Sequence, residues 1–210
     1  MRYCVTSHWN GNLPEIPHCD LLLIAGDICP LWLGDQGLAQ SKWLEDSLAP
    51  HLYNSAAKRI VFTPGPRDWV FQKCPHLIDY NELGMEVLVD AFCEVEGKRI
   101  YGCPWSHKFE PGAYTLNKAA LNFVHMNLPI DVDIMLTPRS FYDYTLSPPP
   151  IKQPPFLLEW TCKSNAELLL TGDIDSPIWD FDPGMSVMSC PYLGGSHEIR
   201  DELFVIEDLE

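Results

Sequence analysis

The stretch Leu21-Leu22-Leu23-Ile24-Ala25, closed at once by Gly26-Asp27, constrains this chain more than any other. Five apolar residues are far too few to cross a bilayer, which takes about 20. Their length suits a buried strand, and Gly-Asp is the chemistry of a turn. Two more strands flank this one: Arg2–Thr6 before it, and Arg59–Thr63 after it, ending in Pro64-Gly65-Pro66. Between the second and third, Gly37–Leu52 repeats Leu44, Leu48 and Leu52 at i, i+4 and i+8, one face of a helix. Three strands separated by helix or loop imply a parallel, α/β beginning.

The rhythm then changes. Glu86–Val89, Ala91–Val95 and Arg99–Gly102 are closely spaced strands, with Glu96-Gly97 as a hairpin turn. Leu116, Ala120, Phe123 and Val124 mark a second helical face, and Val132–Leu136 reads as a strand. The prolines from Ser147 to Pro155 forbid helix or ladder and predict a surface loop. A short helix over Phe156–Ser164 and strands at Glu167–Thr171, Met185–Ser189 and Leu203–Ile206 complete the pattern. No repeat or composition break divides it, so a single domain over 1–210 is expected.

A formal net charge of −15 opposes a nucleic-acid groove, which needs clustered Lys and Arg. The clusters that exist, Lys58-Arg59 and Lys98-Arg99, sit beside strands and read as their solvated ends. A basic or neutral partner suits this surface better than an anionic one. The eight cysteines contain no C-x-x-C pair and read as buried reduced thiols. With no signal-peptide pattern after Met1, a soluble protein of the cytoplasm or cell interior is expected.

Five segments, taken in order, resemble the calcineurin-like metallophosphoesterases, most closely their small soluble phosphodiesterase branch. Leu22–Ile28 resembles that family's second strand and its G-D turn. Ile60–Trp69 stands where its strand ends in G-N-H-[DE]. Ile100-Tyr101-Gly102-Cys103-Pro104-Trp105 resembles Y-G-S-P-W, Asp133–Thr137 runs toward L-T-H, and Leu169–Asp175 has the frame of G-H-x-H. The resemblance implies a four-layer α/β/β/α sandwich with its site at the strand C-termini. It also implies a pair of divalent metals about 3.5–4 Å apart that activate a hydroxide and clamp a phosphate.

Residue by residue, the resemblance implies a site largely dismantled. The Asp of D-x-H is Thr6, while its His is kept as His8. The bridging Asp is kept as Asp27. The Asn position is Pro66, and the catalytic His beside it is Arg67. The next His falls at Pro138, and the two His of G-H-x-H are Asp173 and Asp175. Proline has no side-chain donor, so Pro66 and Pro138 argue that the second metal is lost. Thr6, His8, Asp27 and Asp175 leave room for at most one Mn or Mg ion. Arg67 and Arg139, beside former ligand positions, are expected to neutralise Asp27, Asp173 and Asp175 by pairing. Alternatively, they grip a ligand phosphate.

The expectation that follows is a catalytically inactive phosphoesterase-fold protein with no cofactor. It would serve as a binding or assembly module with a protein partner or with itself, as in a viral or multi-subunit particle. The alternatives are a one-metal phosphodiesterase using His8, Asp27 and Asp175, and a sensor of a small phosphorylated ligand using Arg67 and Arg139. Among other residues, Asp68 reads as stabilising its own turn and His107 as surface loop. Trp32, Trp69, Trp105 and Trp179 are placed near the site rim. No nucleic acid or membrane is expected as partner.

Overall fold

The computed structural model describes residues 1–107, 111–139, 163–164 and 166–172, and the backbone of three further strands at 179–181, 185–189 and 204–207. The first sheet is built from β1 (Arg2–Thr6), β2 (Cys19–Ala25), β3 (Ala57–Thr63) and β4 (Glu86–Val87), all parallel. The last strand, β13 (Phe204–Glu207), lies antiparallel beside β1. The second sheet takes β5 (Ala91–Val95), β6 (Lys98–Gly102), β9 (Ile134–Thr137), β10 (Leu168–Thr171), β11 (Trp179–Phe181) and β12 (Met185–Ser189), in the order β11-β12-β10-β9-β6-β5. A small parallel pair joins β7 (Ser106–His107) to β8 (Thr115–Leu116).

Period-two alternation explains the layers. Along β2, Leu22 and Ile24 face a cluster with Leu44, Leu48, Leu52, Val70 and Phe71 of the helices. Their neighbours Leu21, Leu23 and Ala25 face Ile100, Ile134, Leu136, Leu168 and Leu170 of the second sheet. A strand apolar on both faces is therefore central, with another layer on each side. The outer face of the second sheet carries Tyr101, Met135 and Leu169, packed with Val124 of α4 (Lys118–Met126) and with Leu128 just beyond that helix. Helices, sheet, sheet and helix make four layers, as the resemblance implied.

The helix expected over Gly37–Leu52 forms as α1 (Gly37–Trp43), a π-helical turn at Leu44–Leu48 and α2 (Ala49–Tyr53). Pro50 has no N–H for the Asp46 carbonyl, and its ring crowds the turn before it, so the wider π turn falls there. A further short helix, α3 (Trp69–Lys73), follows β3. The helical face placed on Leu116, Ala120, Phe123 and Val124 needs correction. Leu116 is in β8, Phe123 is 72% exposed, and the buried residues of α4 are Leu121 and His125. A buried histidine read as polar shifts the apparent stripe by one position. The strand expected over Glu86–Val89 is shorter, and the helix expected over Phe156–Ser164 lies almost wholly outside the described residues.

Candidate functional site

Four strand ends from two sheets converge. β1, β2 and β3 deliver Thr6–His8, Gly26-Asp27 and Gly65–Asp68, and β9 delivers Pro138-Arg139. The loops touch backbone to backbone. A β-carbon built on Gly26 would lie 2.3 Å from Pro138 Cβ, and one on Gly65 would lie 2.5 Å from Asp27 Oδ1. One on Gly172, at the end of β10, would lie 2.2 Å from the Ala25 carbonyl and 2.6 Å from that of Pro138. The buried Pro138 thus occupies a socket that three glycines leave open. Gly26 also sits at φ +77°, which favours a residue without Cβ.

Asp27 is 1% exposed and stands at the centre. Its Oδ1 accepts the Arg67 backbone N–H at 2.8 Å. Its Oδ2 lies 3.2 Å from His8 Nε2 and 3.3 Å from Nη2 of the Arg139 guanidinium. Arg139 meets Asp27 through its guanidinium. Arg67 meets Asp27 through its main chain.

His8 is held from its other side. The buried Ser7 hydroxyl donates to the Gly172 carbonyl at 3.0 Å, and His8 Nδ1 is 3.1 Å from the same oxygen. With the Ser7 proton given to Gly172, Nδ1 must be the donor. Ser7, His8 and Asp27 therefore form a Ser–His–Asp chain that sequence order concealed. Ser7 is 0% exposed, however, and has no face for a substrate.

Thr6 ends β1 with its hydroxyl accepting the Trp9 indole N–H at 2.9 Å. The Pro66 carbonyl accepts the Ala113 N–H at 2.8 Å. Asp173 and Asp175 lie outside the described residues.

Beneath Asp27, Asp68 is fully buried and does more than hold its own turn. Its carboxylate accepts the N–H of Gly65 at 2.7 Å, and from the β2 loop the N–H groups of Asp27 at 2.8 Å and Cys29 at 2.9 Å. Burial, and then the Asp27 charge, push its carboxyl up to about 7, against the pull of the Cys29 and Gly65 N–H bonds. A second clamp is Gln40 of α1, also buried. It donates to the carbonyls of Gly34 and Arg67 at 2.8 and 2.9 Å and accepts the Val70 N–H at 2.9 Å. The sequence signal for Gln40 was an amide in a buried helix, and for Asp68 an acid after a turn. Neither names a partner so far along the chain.

His107 is half-buried in β7. Trp32 is 67% exposed, and Trp69 lies under the Lys73 ammonium, 4.0 Å from the ring centre. Trp105 donates its indole N–H to Asp90 at 2.6 Å. The Trp179 side chain is outside the described residues.

No protein-family model and no curated protein sequence matches the chain. Solved structures do. TT1561 of Thermus thermophilus is 13% identical, with 91% of this chain and 88% of that chain covered and a TM-score of 0.56. The phosphopantetheinyl hydrolase PptH from Mycobacterium tuberculosis is 12% identical, with 90% and 89% covered and a TM-score of 0.51. Identity this low speaks for the fold alone: this chain shares the layered α/β sandwich of those two structures.

Proposed function

We propose that this chain does not carry out two-metal phosphoester hydrolysis and acts as a binding or assembly module built on a phosphoesterase fold. The observation that carries the reading is the Arg139 guanidinium 3.3 Å from Asp27 Oδ2, where a bridging carboxylate would face its metals. A fixed positive charge at that oxygen repels a divalent ion and already supplies the countercharge. Pro66 and Pro138 offer no side-chain donor, and Pro138 fills its socket. These residues do not fit a binuclear centre.

His8 and Asp27 have a reason to persist without metal. Both hold left-handed backbone, at φ 49° and 57°. Among residues with a Cβ, Asn, Asp and His populate that region most readily. Their retention is thus explained by the turns they make.

Purification without chelators followed by metal analysis, together with hydrolysis of bis-p-nitrophenyl phosphate in Mn²⁺, tests the reading. No bound metal and no turnover are expected. Two metals per chain, or turnover lost in both His8→Ala and Asp27→Ala, would reject it. The approach of His8 to Asp27 at 3.2 Å favours a second reading, in which these two and Asp175 hold one Mn²⁺ or Mg²⁺. One metal per chain, lost in either variant, would select it.

A further inference from the structure

The helix layer contains a groove of about 510 Å³ between the α1–α2 run and the segment 77–83. Its floor is apolar: Leu44 and Leu83 are each 2% exposed, and Ile78 is half-buried. Its rim is acidic, with Glu45, Asp79 and Glu82 all exposed, and Tyr53 stands at one end with 87% of its surface open. No Lys, Arg or His occurs among the described residues that line it. The π turn at Leu44–Leu48 contributes both Leu44 and Glu45 to the groove, and such turns recur at functional sites.

We propose that this groove docks a basic segment of a protein partner, with an arginine or lysine side chain lying along it. The match is one of charge and shape together. Long cationic side chains lay their aliphatic stems on apolar surface and keep the charged head at a polar rim. Three carboxylates with no cationic partner among the described residues receive that head, and the exposed Tyr53 ring offers a cation its face. Bulk charge points the same way, because a chain of −15 favours a basic partner. Tyr53 and Asn54 lie just before β3, toward the strand N-termini, whereas Asp27 and Arg67 leave strand C-termini. The inference therefore stands whether or not the Asp27 site is inert.

The test is titration of the ¹⁵N-labelled protein with N-acetyl-leucyl-arginine amide, followed by backbone amide shifts. The ceiling is about 10 mM, tenfold above the concentration at which a contact of about 4 kcal/mol half-saturates. Saturable shifts confined to residues 41–54 and 77–83 are expected. They should weaken at least tenfold with the neutral citrulline analogue and in the Glu45→Gln/Glu82→Gln variant. Both glutamates are exposed, so the variant should fold, and Asp79 is spared because its Oδ1 accepts the Asn81 N–H. Absence of shifts, equal shifts with citrulline, or shifts scattered over all surface acids would overturn the proposal. Putrescine binding as tightly as the dipeptide would also overturn it, giving the groove to a small cation.

Discussion

Asp27 carries its charge where water cannot reach, so its partners must do the work of solvent. Arg139, with 30% of its side chain exposed, is the one fixed cation the described geometry places on it. Removing Arg139 leaves a buried carboxylate with the His8 ring and the Arg67 N–H, and an under-compensated buried acceptor costs about 1–3 kcal/mol. Asp27→Asn is the useful second change. Asn tolerates the left-handed turn and keeps an oxygen for the Arg67 N–H, so mainly the charge is removed. Urea unfolding of the wild type, Arg139→Ala, Asp27→Asn and the double variant closes the cycle. Arg139→Ala should cost about 1–3 kcal/mol in the wild type and within about 0.5 kcal/mol of nothing beside Asp27→Asn. Additive costs would show that the guanidinium and the carboxylate do not depend on each other.

Element by element, α4 provides the clearest case of buried chemistry that hydropathy hides. His125 is 3% exposed, and burial pushes its imidazole down to about 4. Below about pH 6.5 the unfolded chain takes up a proton on this ring that the folded chain refuses until about pH 4. Acidification through that window favours unfolding, and stability rises again with pH. Replacing His125 with Phe, which cannot be protonated, should flatten this limb. The stability difference between variant and wild type should grow in the variant's favour by up to about 3 kcal/mol from pH 6.5 to 4. Chemical denaturation at stepped pH measures it, and a constant difference would mean the ring is not buried neutral. The same histidine shows what sequence reading reaches. β2 was legible because five apolar residues leave no solvent face, and the hairpin at Glu96-Gly97 because its turn chemistry is local. The phase of α4 was not, since a polar letter in the core mimics a surface position. That Pro66, Arg67, Pro138 and Arg139 would stand near Asp27 was an expectation of the family resemblance and not of hydropathy or turn chemistry. Which atom of Arg67 meets Asp27, and that Asp68 reaches the β2 loop, depend on loops that meet only after folding.

For the whole molecule, charge is the property that no single contact absorbs. The clusters Lys58-Arg59 and Lys98-Arg99 lie at strand starts and are all paired, with Asp20, Glu86, Glu167 and Asp131. Such exposed pairs contribute about 0–1 kcal/mol each, and salt weakens them. Against them stand 29 acidic residues and only 14 Lys and Arg, so acids outnumber these cations about two to one. Salt acts on both terms in opposite directions: it loosens a few pairs and quiets a larger number of repulsions. The repulsions act over longer distances. Raising ionic strength from about 0.01 to 0.15 M shortens the screening length from about 30 to 8 Å, which removes distant repulsion before it reaches paired atoms in contact. The melting temperature should therefore rise by a few degrees over that range and then level off, because a change of about 1 kcal/mol moves a domain of this size by about 2–4 °C. A thermal scan across chloride concentrations measures it. A melting temperature that falls with salt would mean that the surface pairs outweigh self-repulsion. The net charge would then have to be balanced locally over the surface, and the long-range attraction of a basic partner would go with it.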